Sequence, residues 1–405
     1  MLTAPYQLYK KAFSGLSPST WYLALVMLIN RSGTMVVPFM TIYATQKLHF
    51  SLTQAGIVMA LFGLGAIVGA LLGGRMTDIT GFYPVQIGAL LLGGLLFMAI
   101  GFLHTFPLLC AGAFILSVCN ESFRPANSTA VAYYSSTENR TRSYSLNRFA
   151  VNLGWSVGGA LGGFLAGHNY HLLFWVDGAT NLLAAFLLLR LLPRVPHQKQ
   201  SREAMLQNRA YSPYKDITYL VFIVLMTLFA TCFLQLFGMQ PVFLKTEWNI
   251  SEQQIGMLMA ENGLIIALVE MILIYYLEGR RPHLYFIRRG IVLIGLAYVL
   301  LNCLPHHFAS VVVTTGMITL GEILCLPFMN SYWISRTRPY NRGSYAALYT
   351  MSWSTAQIIA PAVGAQVATR AGFANLWWLI SSFCAVLVVG VWLLEKKGKK
   401  PEIIS

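Results

Sequence analysis

Hydrophobic residues run along this chain in blocks of about twenty, from Trp21 to Leu394, and polar and basic residues gather in short stretches between them. A block of that length crosses the hydrocarbon core of a bilayer as one helix. The pattern predicts twelve spans, near residues 21–43, 54–75, 83–103, 107–131, 145–167, 171–192, 217–244, 252–277, 286–304, 308–332, 342–368 and 374–394. Composition agrees: 56% of the 405 residues are hydrophobic and 10% are charged, against about 25% charged in an average soluble domain. The reading is an all-α, polytopic membrane protein, and a soluble single-core enzyme is excluded.

The formal net charge of +14 matters through its distribution. Basic residues sit in connectors and form no stripe with interleaved aromatics, so no nucleic-acid partner is expected. Connectors on the side of both termini hold 22 Lys or Arg, and the opposite side holds Lys47, Lys245 and Arg370. Arg31, Arg124 and Arg148 fall inside or at the mouths of spans. Cations resist translocation, so both termini are expected in the cytoplasm of a multi-pass protein of the cell membrane, with a bacterial inner membrane the expected location. The first span has no small-residue cleavage site after it and is expected to stay as an anchor. Cys110, Cys119, Cys232, Cys303, Cys325 and Cys384 form no C-x-x-C pair, and the histidines do not cluster. No disulfide framework, metal site or cofactor is expected.

The longest connector, 191–216, carries Arg194, Lys199, Arg202, Arg209 and Lys215 with Pro193, Pro196 and Pro213. It reads as a cytoplasmic linker between a six-span half at 1–190 and another at 217–405. An internal repeat supports the division. Ser51, Gln54, Gly56, Met59, Ala60 and Gly63 recur as Ser251, Gln254, Gly256, Met259, Ala260 and Gly263, and Asn139–Tyr144 is similar to Asn341–Tyr345 after one deletion. Six spans is an even number, so the halves share orientation and relate by an axis along the membrane normal.

An ionisable side chain at mid-bilayer costs about 2.5–3.5 kcal/mol on insertion scales, so it normally faces a watery cavity or a partner. The spans carry Arg31, Glu121, Arg124, Asp177, Glu261, Glu270 and Glu322. Glu121 and Arg124 are three apart and share a helix face. They read either as a proton switch or as a permanently satisfied pair that holds the bundle. Glu121, Glu261 beside Asn262, and Glu322 are the leading proton carriers, with Asp177 and Glu270 as further candidates. Glu270 reads as a partner for a loop cation, and Asp177 as reaching the outer interface or Arg148. Span seven offers Gln235, Phe237, Met239, Gln240 and Pro241, and span eleven offers Tyr349, Trp353 and Gln357 at fourfold spacing. Such a face suits varied amphipathic molecules and equally suits helix packing. Pro38, Pro241 and Pro327 mark expected bends.

After span two, Gly73-Gly74-Arg75-Met76-Thr77-Asp78-Ile79-Thr80-Gly81 resembles the loop two-to-three signature of the major facilitator superfamily. Gly74, Asp78 and Gly81 fit, while Ile79 and Tyr83 stand where that family has basic residues. Glycines let helices approach closely, and Asp78 can cap a neighbouring helix. The resemblance implies a gating role, and a plain solvated loop is the other reading. In span five, Gly154-Trp155-Ser156-Val157-Gly158-Gly159-Ala160-Leu161-Gly162-Gly163 resembles the antiporter motif of the superfamily's exporters, with Gly159 in place of proline. A packing face explains the same spacing. Arg148 and Asn152 precede it.

The resemblance spans essentially the whole chain. In arrangement it is similar to MdtH-like multidrug exporters, through Glu322 to Pro327 and Arg342-Gly343-Ser344-Tyr345. It implies twelve transmembrane helices in two pseudo-symmetric six-helix bundles. Spans one, four, seven and ten would line a cavity where Arg31, Glu121, Arg124 and Glu322 meet. Asn30, Gln235, Met239, Tyr349, Trp353 and Gln357 would add substrate contacts, and Arg148, Gly154 and Gly158 would join Gly74, Asp78 and Gly81 in gating. Phe123-Arg124-Pro125-Ala126-Asn127 resembles a stretch of proton-coupled oligopeptide transporters. The acids of their span-one signature are missing around Asn30-Arg31. The implied function is alternating-access transport, with proton-coupled export of amphipathic drugs or metabolites. The alternative is proton-coupled uptake of peptides or other small zwitterions. No enzyme is expected, since G-x-S-x-G, H-E-x-x-H and G-x-x-x-x-G-K-[ST] are absent. The expected partners are a small-molecule substrate, protons and the lipid bilayer, and the chain is expected to act as a monomer.

Overall fold

A computed structural model describes residues 7, 10–11, 13–195, 212–338 and 340–398. Of the linker, Pro196, Lys199, Arg202 and Arg209 lie outside the described residues, as does the tail from 399. Among the described residues every regular element is helical. Span one is split into α1 (Pro18–Ser32) and α2 (Val36–Gln46). Next come α3 (Leu52–Thr80), α4 (Phe82–Ile100), α5 (Phe106–Tyr134), α6 (Arg140–His168) and α7 (Tyr170–Leu191). Span seven is also split, into α8 (Ile217–Phe233) and α9 (Met239–Thr246), around a 3₁₀ turn at Leu234–Leu236. Span eight joins α10 (Glu252–Ile265) to α11 (Met271–Leu277) through a π-helical turn, Ile266–Glu270. The last four are α12 (His283–Cys303), α13 (Phe308–Ser335), α14 (Arg342–Ala371) and α15 (Phe373–Gly398).

Nine helical stretches among the described residues are long and apolar enough to cross a membrane. Spans one, five and eleven, predicted from the hydrophobic pattern, are not among them. The first is interrupted, and α6 and α14 are diluted by arginine, serine and amide side chains. The sequence repeat is structural: Ser51 with Gln54, and Ser251 with Gln254, form reciprocal capping boxes that start α3 and α10. Each satisfies two of the backbone N–H groups that a helix start leaves without partners.

Two compact units result. The first is Gly15–Pro213 together with Thr337–Met351, and the second centres on Tyr214–Arg336 with Ser352–Ser405. In the first, α4 packs on α5 and α7, and α3 packs on α5; in the second, α12 packs on α13 and α15, and α10 packs on α13. The same pairings thus recur in both halves. Lipid tails are as apolar as leucine, so helices associate here through close packing instead of water exclusion. Glycine supplies that closeness on α3. A Cβ at Gly73 would lie 2.5 Å from the Cα of Ser122 on α5, and Ser122 Oγ donates to the Gly69 carbonyl at 3.0 Å. Across α12 and α13, Gly290 and Gly321 face each other's carbonyls in the same way.

Gly73→Val is therefore expected to push α3 from α5 at a cost of about 1–3 kcal/mol. Thermal unfolding of detergent-purified protein checks this, with Gly88→Ala, where nothing lies within 4 Å, leaving the midpoint unchanged.

Candidate functional site

In the first unit the charged residues of spans one and four meet. Arg124 Nη1 lies 3.1 Å from Glu121 Oε2 across one turn of α5. Arg31, a residue 9% exposed, is within electrostatic reach of both. Among the described residues no hydrogen bond or ion pair engages its guanidinium. Arg124 thus pairs with the carboxylate directly, and Arg31 lies within its field. Gly154 and Gly158 of α6 let this corner close: a Cβ at Gly154 would stand 2.7 Å from Arg31 Cβ, and one at Gly158 3.0 Å from the Ser32 carbonyl. The glycine pattern of span five is thus, in this fold, a contact face against the end of α1. Arg148, two turns earlier on α6, is half-buried.

Directly beyond Arg31 the first span breaks. The break leaves the N–H groups of Met35 and Val36 at the start of α2, and fully buried Asp177 of α7 accepts them at 3.0 Å and 2.8 Å. Asp177 reaches neither the outer interface nor Arg148 in this arrangement; it caps α2. Its neighbours complete the joint. Asn30 donates to Asn181 Oδ1 at 2.9 Å, Asn181 donates to the Asp177 carbonyl at 2.8 Å, and Thr180 fills the space a Gly33 side chain would need. The expected bend at Pro38 is displaced: the proline sits in the first turn of α2, where a missing N–H is harmless, and the break lies ahead of it. Pro241 stands likewise in the first turn of α9.

At the other end of the unit, α3 terminates at Gly81, whose φ of 90° suits a residue without Cβ. Asp78 in its last turn accepts the N–H of Gly343 at 2.7 Å and of Ser344 at 2.8 Å, and the Ser344 hydroxyl. These belong to the first turn of α14, whose initial residues cluster with this unit. A carboxylate against orphan N–H groups at a helix start is favoured by both hydrogen bonding and the helix dipole. Gly74 makes room, since a side chain there would overlap Ala347 and the Gly343 carbonyl.

The second unit holds the other candidates. Asn262 of α10 donates to Glu322 Oε2 and to Thr319 Oγ1, both at 2.9 Å. Glu261 is half-buried beside it, and Glu270 is buried at the close of the π turn. Gln235 donates to the Ala360 carbonyl at 2.8 Å, and with Met239 it packs on Gly364 of α14. Trp353 stands edge-on to Phe229 and Phe233, and Gln357 is exposed. Tyr349, four residues before Trp353, is buried in the first unit near Tyr144. The face expected on span eleven is therefore divided between the units. Pro327 lies within unbroken α13.

Comparison with known proteins fits this architecture. A sequence model of the Major Facilitator Superfamily matches residues 22–321 and 221–405. The chain belongs to that superfamily. It is a transporter and a multi-pass membrane protein, not an enzyme. It is 24% identical to a Na(+), Li(+), K(+)/H(+) antiporter of Planococcus maritimus, over 92% of this chain and 94% of that one. It is 21% identical to multidrug resistance protein 1 of Bacillus subtilis, over 78% and 81%. The fold is similar to the human organic anion transporter MFSD10, with a TM-score of 0.71 and 14% identity over 92% of this chain and 99% of the other. A bacterial homologue of the iron transporter ferroportin gives a TM-score of 0.73 and 17% identity over 94% and 100%.

Several residues of this transporter's polar clusters escaped sequence reasoning. Asn181 and Thr180 follow Asp177 by one helical turn, a spacing that signals a shared polar face. Gly343 and Ser344 carried a repeat and a family likeness, yet nothing in their spacing named Asp78 as their partner. Asp78→Ala is expected to speed hydrogen exchange at the Gly343 and Ser344 amides about fivefold, matching the roughly 1 kcal/mol of a lost cap; mass spectrometry of peptides covering 340–348 measures it. Asp177→Ala strands the buried Val36 N–H, at a cost of about 1–3 kcal/mol, and leaves the Met35 N–H only the Gly33 carbonyl; it is expected to lower the thermal midpoint more than Asp177→Asn, which keeps one acceptor.

Proposed function

We propose that this transporter is a proton-coupled antiporter that exports amphipathic compounds by alternating access from a bacterial inner membrane, with both termini in the cytoplasm. The observation that carries this reading is the Glu121–Arg124 pair, 3.1 Å across, beside buried Arg31. Ionised Glu121 holds Arg124. A proton on Glu121 cancels the attraction and leaves two guanidinium groups within electrostatic reach without a counter-charge, so the two protonation states favour different arrangements of α1 and α5. A cationic substrate competes with the proton for the same carboxylate, which is the elementary requirement for exchange. The clasp of Asp78 on α14 would be the gate, released when α3 and α14 part. Gln235, Met239, Trp353 and Gln357 would offer the substrate a mixed amide, thioether and aromatic lining. The names of the antiporter and multidrug resistance relatives support both the exchange mode and the substrate class.

A second reading has its own observation. Two arginines against one glutamate leave an excess positive charge at Arg31, which favours an anionic or zwitterionic solute such as a peptide, taken up with protons.

Proteoliposomes carrying a pH gradient test the first reading. Wild-type protein is expected to extrude a cationic dye, and Glu121→Gln is expected to slow extrusion at least about tenfold, the lower end for loss of a proton-transfer group. Undiminished extrusion by the variant removes Glu121 from the mechanism. Counterflow of labelled dipeptides in place of dye transport favours the second reading.

A further inference from the structure

The second unit contains a polar cluster that the Glu121 mechanism does not use. With 3.6 residues per turn, Thr315, Thr319 and Glu322 fall within about 60° of one another on one face of α13. Asn262 of α10 meets that face with both N–H groups, one on Thr319 and one on Glu322. A carboxylate only accepts, so the amide orientation is fixed. Asn262 Oδ1 is then left without a donor among the described residues. Thr319 donates onward to the Thr315 carbonyl at 2.8 Å. The Thr315 side chain is fully buried, and among the described residues its hydroxyl has no hydrogen-bond partner.

A buried hydroxyl without a partner costs about 1–3 kcal/mol unless a ligand satisfies it. Its surroundings indicate which ligand. Gly316 follows Thr315 in the chain, and a Cβ on it would lie 3.3 Å from Glu261 Oε1, so the Glu261 carboxylate rests against α13 at the residue after the orphan hydroxyl. Adjacent residues of α10 and two turns of α13 thus offer a carboxylate at Glu261, an amide oxygen at Asn262, a hydroxyl at Thr315 and a second carboxylate at Glu322. Every donor is a hard oxygen, with no sulfur or imidazole among them. Hard oxygens select hard cations. Octahedral, strongly hydrated magnesium demands several retained waters, which suits a pair of packed helices poorly. The helix also widens into a π turn four residues after Asn262, and such turns recur at functional sites.

We propose that α10 and α13 form a binding site for a small monovalent cation, Na+ or Li+, liganded by Glu261, Asn262 Oδ1 and the Thr315 hydroxyl, with Glu322 supplying further negative charge. The site deepens the antiport reading by giving the second unit its own exchangeable ion. It rests on that reading only for its role in transport, since binding itself can be measured without transport.

The test is equilibrium binding of radiolabelled sodium to the purified full-length protein in detergent, in choline buffer. Saturable binding at one ion per chain is expected, displaced by Li+ and not by Mg2+. Thr315→Val is isosteric and removes only the hydroxyl; it and Glu261→Gln are each expected to weaken binding at least about tenfold, the scale on which loss of a supporting group acts in metal sites. Thr315→Ser restores binding, and Glu138→Gln, an exposed acid between α5 and α6, leaves it unchanged. Thermal midpoints of all variants separate lost binding from lost folding. No saturable sodium binding by the wild type overturns the site, and if Glu121-dependent dye extrusion persists the antiport reading survives. Undiminished binding by both Thr315→Val and Glu261→Gln overturns the location, and displacement by Mg2+ overturns the monovalent assignment.

Discussion

Hydrocarbon offers no hydrogen bonds, so every backbone N–H and C=O at membrane depth must find its partner within the protein. The irregular parts of this transporter are solutions to that one demand. Where the first span breaks, the N–H groups of Met35 and Val36 are met by the buried Asp177 carboxylate of α7, while the Asp177 backbone carbonyl accepts from Thr180 and from Asn181, which Asn30 holds in turn. Span seven breaks at the corresponding place in the second half and closes by another route. The amides of Phe237 and Gly238 both turn back onto the Leu234 carbonyl at 3.2 Å and 3.1 Å. One half uses a charge where the other uses a tightened turn. A duplicated architecture has thereby acquired two different joints.

Beside those joints lie the ionisable clusters. Arg31 stands at the last turn of α1, so the joint fixes where its guanidinium points relative to Glu121 and Arg124 on α5. Glycines at 154 and 158 bring α6 against the same turn. In the second half, Asn262 and Glu261 precede the π turn of span eight, and their partners stand on α13. In each half one helix of the cluster is irregular next to its charged residue, Arg31 before the break of span one and Glu261 before the π turn of span eight, while the partners stand on the continuous helices α5 and α13.

Much of this was legible in the sequence because it is local. The hydrophobic blocks fixed twelve spans, Ser51–Gln54 and Ser251–Gln254 marked two equivalent helix starts, and three-residue spacing paired Glu121 with Arg124. The joints were not legible. Gly33 and Gly238 are unremarkable in chains this rich in glycine, and the prolines at 38 and 241, the obvious breakers, stand inside the helices that follow. Asp177 is 142 residues from Met35 along the chain, and Asp78 is 265 from Gly343. Periodicity within a helix says which face a residue occupies but not which helix that face meets. The orphan Thr315 hydroxyl is of the same kind: a threonine in a span is ordinary until its neighbours are known.

The seat of Asp177 also changes how a damaged transporter should be understood. An acid buried in a membrane helix invites the conclusion that it ferries hydrogen ions, and a dead substitution would be taken as proof. Here the carboxylate is a mechanical pin for a broken rod, and withdrawing it would free the start of α2 and slacken the joint that follows Arg31. Inactivity after that change would report a slack joint, and only a substitution that preserves the pin while removing its charge bears on proton traffic.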